Sequence, residues 1–183
     1  MLELQKWQCP NPHHSPWVIE DNILKVQVAE GNMWGFGGRA RNNLFFKATD
    51  TTEYAVQASI NLVPNRAFEQ AGIGIYWDDD NYIKISKEMF DGRLSLVFVT
   101  ESNGRPRVNA LLDYSGDEVT LRLEKSQTSV AAMFSIDGGT HWQLIGTTEV
   151  LQNKERGLML YTFSGSMLEP NTAHFSELLV ESL

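Results

Sequence analysis

Hydrophobic and polar residues alternate with a period of two along most of this chain, the spacing of strands whose successive side chains point to opposite faces. The clearest instance is FEQAGIGIYWDDDNYIKISKE, residues 68–88. Ala71, Ile73, Ile75 and Trp77 share one phase, and Gln70, Gly72, Gly74 and Tyr76 share the other. On the return arm Ile83 and Ile85 stand against Tyr82, Lys84, Ser86 and Glu88. An acidic turn joins the arms, so the segment reads as a half-buried hairpin. Its second face gathers aromatic rings, an amide, an ammonium and a carboxylate, with two glycines that leave room above the sheet. That composition resembles a ligand surface more than plain solvated exterior.

Further strands are expected over 23–29, 54–62, 94–100, 108–112, 119–124, 128–136, 142–147, 157–163 and 173–181. Asp91-Gly92, Asn103-Gly104 and Asp137-Gly138-Gly139 lie between them and supply the positive φ angles that tight turns need. Only 150–155 offers a helical turn. Many short strands in one chain point to a sandwich or a closed barrel. Val119, Leu121 and Leu123 alternate with Thr120, Arg122 and Glu124, and one apolar face per strand favours two sheets packed through their inner faces. With no fixed-period repeat and no long linker, a single domain over 1–183 is expected, residues 1–20 forming an extended lead-in.

Composition narrows the function classes. A chain of 183 residues with 42% hydrophobic content can bury one sizeable core. The net charge of −8 and the absence of basic runs argue against nucleic acid, whose binding needs clustered Lys and Arg. No apolar run has membrane-spanning length and no secretion signal is evident. The lone Cys9 cannot form an intrachain disulfide, so a reducing, cytoplasmic setting is expected.

Read in order, EQAGIGIYWDDDNYIKISKE, VTLRLEK, MFSIDGGTHW, GLMLY and HFSELLVE resemble the uncharacterised family typified by the fungal regulation-of-enolase protein. The C-terminal module of family 43 β-xylosidases is similar as well, and both belong to the concanavalin A-like lectin/glucanase superfamily. The resemblance covers roughly the last two thirds of the chain, with a weaker echo at Asn32-Met33-Trp34. It implies an all-β, concanavalin A-like jelly-roll sandwich of two antiparallel sheets, one of them concave.

Individual motifs are weighed by what their chemistry requires. Ser135, Asp137, Gly139 and Trp142 fit the Asp-box spacing, whose carboxylate bonds backbone amides of its own turn; this is turn chemistry, with no catalytic role for Asp137. Asp78, Asp79 and Asp80 lack the alternation of a calcium loop and read as a solvated turn. Cys9, His13 and His14 have no second ligand pair at zinc spacing, so no metal or cofactor is expected. A glycosidase needs two flanking carboxylates, and only Glu88 has aromatic company on the presumed concave face, with Glu124 either near it or a rim charge. No catalytic residue is assigned.

Tyr82, Lys84, Glu88 and Arg122 are expected to line one pocket on the concave sheet, with Gln70 and Tyr76 as neighbours. Aromatic faces and directional polar groups suit sugars, and the cations suit uronates or phosphorylated sugars. A hydrogen-bond and salt-bridge ladder across an exposed sheet explains Lys84 and Arg122 equally well. The leading expectation is a non-catalytic, lectin-like domain that binds a carbohydrate or related polar metabolite. A regulatory protein-interaction module is the alternative, and a glycoside hydrolase or lyase ranks third. A small polar ligand or a protein is the expected partner; nucleic acid and membrane are not.

Overall fold

The computed structural model describes residues 7–9, 16–38, 44–47, 51–152, 157–166 and 171–183. Among these residues the chain forms strands and no helix. A seven-stranded back sheet has the spatial order β1 (Trp17–Glu20), β2 (Ile23–Gln27), β13 (Thr172–Ser182), β4 (Tyr54–Asn61), β9 (Glu118–Lys125), β10 (Ser129–Ser135) and β11 (Gln143–Glu149). A six-stranded front sheet has the order β3 (Leu44–Lys47), β12 (Gly157–Phe163), β5 (Gln70–Asp78), β6 (Asn81–Phe90), β7 (Arg93–Ser102) and β8 (Arg105–Asp113). Neighbouring strands pair antiparallel throughout. Of the helical turn expected over 150–155, residues 150–152 are not helical and 153–155 fall outside the described residues, as do His13 and His14.

The period of two sets the core. Ile73 and Ile75 on β5 pair with Ile85 and Ile83 on β6, while Leu121 and Leu123 on β9 pair with Ala58 and Val56 on β4. All eight side chains are fully buried between the sheets. One-residue slippage would turn every one of them outward, which is why the register is so strongly specified.

Two strands escape the sequence pattern. Trp17–Glu20, inside the expected lead-in, is an edge strand that folds back onto β2. Its turn residues Asp21 and Asn22 have φ of 50° and 61°, the left-handed pair that a two-residue hairpin requires and that Asp and Asn tolerate. Its run WVIE is exposed along its whole length, so it lacks alternation to read. The four-residue β3 is equally short of pattern, and Trp17 packs edge-on against its Phe45, ring centroids 5.7 Å apart.

The Asp137 turn closes on itself. Asp137 Oδ1 accepts from the Ser135 hydroxyl at 2.7 Å and from the His141 and Thr140 amides at 2.9 and 3.1 Å. Trp142 is half-buried and lies 5.6 Å from the Arg122 guanidinium. Asp137→Ala therefore orphans turn donors remote from the front sheet. Its melting temperature should fall by a few degrees in a thermal-shift assay; a variant with undiminished stability would contradict the assignment. The acidic side chains at the tip of the β5–β6 hairpin are likewise bonded locally, while its backbone and Asn81 accept from the Gly104 and Asn103 amides of the next turn. Asp78 Oδ1 accepts from the Asp80 amide and the Asn81 side chain, and Asp79 accepts from the Tyr76 hydroxyl.

Lys87 is the exception to the core phase. It follows Ile83 and Ile85 on the inward face, and its stem is buried while Nζ reaches the Asp117 carbonyl at 2.6 Å, a snorkelling arrangement. Burial pushes its ammonium down to about 8 from 10.5, against the pull of Asp117 and Glu118. Between those values the unfolded chain binds more protons than the folded one, so stability rises with pH. The melting temperature should climb from pH 8 towards about pH 9.5, and Lys87→Met should reduce the climb. A profile that is flat or falls over that window in the native chain would refute this account.

Candidate functional site

The front face of β5, β6 and β12 is where the polar phase of the hairpin emerges, yet nearly all of it is covered. Met33, Tyr76, Tyr82, Val97, Val99, Met159, Tyr161 and Phe163 form a second buried cluster there. Met159, Tyr161 and Phe163 come from the outward phase of β12, and Met33 comes from a loop clasped onto the sheet. The Gly31 amide donates to the Ser164 carbonyl at 3.0 Å, and the Gly35 amide to Glu101 Oε2 at 3.1 Å. The two glycines do not leave open room above the sheet: a Cβ on Gly72 would lie 2.6 Å from the Tyr161 hydroxyl, and one on Gly74 would overlap Met159 Cε. Glycine is needed at both because aromatic and thioether side chains of β12 lie across β5.

The open part of the face is a cavity of about 710 Å³ at the Gln70 and Glu88 end. Gln70 and Glu88 are directly paired across β5 and β6, and Lys84 lies four residues along on the same phase. All three are almost wholly buried, yet all line the cavity and form its polar floor. Lys84 Nζ donates to Gln70 Oε1 at 2.6 Å and sits 5.0 and 5.3 Å from the Tyr161 and Phe163 ring centroids, positions that favour a cation. Glu88 Oε2 accepts from the Ser86 hydroxyl at 3.0 Å. Burial pulls the Lys84 ammonium below its ordinary value and pushes the Glu88 carboxyl above its own, each offset by the charge of the other.

Aromatic rings supply the walls. Trp34 comes from the clasped loop, Phe163 ends β12, and Phe68 and Phe90 flank the hairpin, their rings edge-to-face at 6.4 Å. Phe68 holds a φ of 56°, a costly conformation for an aromatic residue, fixed by hydrogen bonds on both sides. Its amide donates to the Met89 carbonyl at 3.0 Å, while the Glu69 amide donates to Arg66 at 3.1 Å. Glu30 and Asp91 stand exposed at the mouth.

Of the six residues expected to converge, Gln70, Lys84 and Glu88 do. Tyr82 and Tyr76 share their face but lie towards the closed end: the Tyr82 hydroxyl donates to Glu101 Oε2 at 2.5 Å and the Tyr76 hydroxyl to Asp79. Burial foremost, and then Glu101, raises the Tyr82 pKa, while burial raises that of Glu101 against the hydrogen bonds it accepts. Arg122 is a correction. It projects from the outer face of the back sheet, where it donates to Gln57, Glu124 and Glu181 at 2.8, 2.8 and 2.6 Å. Strand phase says that a residue points away from the core, not which of the two sheets it leaves; β9 lies between β4 and β10, so its polar phase opens on the opposite surface. Glu124 goes with it and is not near Glu88.

Sequence reasoning missed Phe68, Phe90 and Phe163 as wall residues and Glu101 as the tether of the clasp. The alternation of Met159, Tyr161 and Phe163 within the expected strand 157–163 carried that signal for β12. Phe68 and Phe90 could have been found by extending the hairpin register two pairs beyond Gln70 and Glu88. Among the described residues, no three His, Cys, Asp or Glu side chains are grouped to hold a metal ion, and no helix is long and apolar enough to cross a membrane.

This arrangement of strands is shared with solved structures. The fold superposes on the GH43 protein BlXynB from Bacillus licheniformis with a TM-score of 0.81 and 20% identity, covering 97% of this chain and 37% of that one. A functionally unknown protein from Saccharomyces cerevisiae matches over 98% of both chains, with a TM-score of 0.76 and 19% identity. Carbohydrate-binding module CBM66 from Bacillus subtilis matches over 97% of this chain and 96% of its own, with a TM-score of 0.65 and 13% identity. At such identities the likeness is one of fold, the jelly-roll sandwich of two antiparallel sheets, and the chain spans about 37% of the length of the GH43 protein. The sequence matches no curated protein at a significant level. The family model for a protein of unknown function, DUF1349, matches residues 20–182, and the chain belongs to that family.

Proposed function

We propose that the chain is a non-catalytic, lectin-like domain that binds a carbohydrate or related polar metabolite in the front-sheet cavity. The observation that carries this reading is a buried polar floor of Gln70, Lys84 and Glu88 enclosed by the rings of Trp34, Phe68, Phe90 and Phe163. Rings stack on the C–H faces of a sugar, while amide, ammonium and carboxylate meet its hydroxyls directionally. A carbohydrate-binding module shares the fold, which supports the reading without identifying a ligand. The concave shape favours a small ligand over a docked protein, for which a flat apolar patch would be the better platform.

A thermal-shift screen of mono- and oligosaccharides, followed by calorimetry on those that raise the melting temperature, tests the proposal. Trp34 is 44% exposed, so Trp34→Ala should leave stability nearly unchanged while weakening binding by about tenfold or more, the loss of one stacking wall. Undiminished affinity in that variant would place the ligand elsewhere, and a screen with no saccharide hit would end the carbohydrate reading.

A further inference from the structure

The charges around the cavity discriminate between classes of carbohydrate. Its lining holds three carboxylates, Glu30, Glu88 and Asp91, and one ammonium, Lys84. Lys84 and Glu88 are 2% and 4% exposed and lie on the same phase of one strand, so each is the main opposite charge that the other meets in burial. The floor is thus already compensated, and Glu30 and Asp91 leave the mouth negative. With Arg122 on the back sheet, the second cation that would suit an acidic sugar is not at this site.

Resting on the carbohydrate-binding reading above, we infer that the cavity takes an uncharged sugar or polyol and discriminates against uronates and sugar phosphates. A hydroxyl can accept from the Lys84 ammonium and donate to the Glu88 carboxylate, so one neutral group answers both charges without disturbing their balance. A ligand carboxylate or phosphate can only accept. It would compete with Glu88 for Lys84, set two anions side by side where water is excluded, and pass Glu30 and Asp91 on entry. The aromatic walls favour the same class, since Trp34, Phe68 and Phe163 offer ring surface to C–H faces and no compensating cation.

Calorimetry on the whole chain, with xylose, glucose, galactose and their short oligomers against glucuronate, galacturonate and glucose 6-phosphate, tests the inference. At least one neutral probe should bind, with its acidic counterpart weaker by about tenfold or more. Affinity for the neutral probe should change by less than about twofold between about 20 and 300 mM salt, because no net charge is exchanged. The double substitution Glu30→Gln, Asp91→Asn, at two exposed positions, should narrow the gap by strengthening acidic probes. An acidic probe that binds as tightly as its neutral counterpart, or an amino sugar that binds more tightly, overturns the inference and leaves the carbohydrate reading standing. If neither neutral nor charged sugars bind, the carbohydrate reading itself falls and this inference with it.

Discussion

Glu69→Ala is expected to destabilise the chain by about 3–5 kcal/mol, the loss found when one partner of a buried ion pair is removed and the other is left uncompensated. Glu69 is fully buried and Arg66 nearly so. The Arg66 guanidinium donates to Glu69 Oε1, from Nε at 2.9 Å, and reaches the Ser166 carbonyl at 3.0 Å and the Val28 carbonyl at 3.4 Å. The other carboxylate oxygen takes the Asn65 amide at 2.7 Å and the Asn171 side chain at 3.3 Å. The ion pair therefore ties together the segment before β5, the segment after β2 and both sides of 167–170. Phe68, the cavity wall held at positive φ, sits immediately beside it. Denaturant unfolding should show the lost stability, and Arg66→Met with Glu69→Met should cost clearly less than the two single substitutions summed, because no lone charge is left behind. A loss below about 1 kcal/mol for Glu69→Ala would mean that water screens the pair.

Neither member of this pair is visible in the sequence as a structural residue. Arg66 precedes the alternating stretch 68–88, Glu69 stands at its start as a lone acid on the apolar phase of Ala71 and Ile73, and their partners are about a hundred residues away for Ser166 and Asn171. The same division runs through the rest of the molecule. Alternation reads correctly where one face is apolar, so Ile73, Ile75, Ile83, Ile85, Leu121 and Leu123 were legible as inward residues of β5, β6 and β9, whereas the inward Lys87 was not. Alternation fails at Trp17–Glu20, which is exposed on both faces, and it cannot assign an outward residue to a sheet. Arg122 and Lys84 have the same local signature, apolar neighbours on either side, yet emerge on opposite surfaces because β9 and β6 belong to different sheets. Half of the candidate site was legible because Gln70, Lys84 and Glu88 belong to one hairpin whose register its own turn sets. The other walls divide: Phe68 and Phe90 follow from the same register carried past the paired strands, whereas Trp34 and Phe163 come from a loop and a distant strand that no local rule brings together.

Gly72→Ala is the second large effect, about 3 kcal/mol or somewhat more, at the upper end of what overpacking costs. The added methyl would overlap the Ile85 carbonyl oxygen and lie 2.6 and 2.8 Å from Tyr161 Oη and Cζ. Both neighbours resist displacement. The carbonyl belongs to the β5–β6 ladder, in which Gly72 pairs with Ser86, and the Tyr161 ring is fully buried between Lys84 and the sheet. Gly74→Ala meets Met159 Cε, the far end of a flexible thioether, but also the Ile83 carbonyl at 2.8 Å. It should therefore cost less than Gly72→Ala without being silent. For a chain of this size the larger loss corresponds to a fall in melting temperature of about 6–12 °C. Gly72→Ala should also weaken ligand binding in its folded fraction, because a displaced Tyr161 carries Lys84 with it; Gly74→Ala should not. If the two variants unfolded at the same temperature, the glycines would be serving strand flexibility rather than the close passage of β12 side chains, and the picture of a front face closed by Tyr161 and Met159 would have to be abandoned.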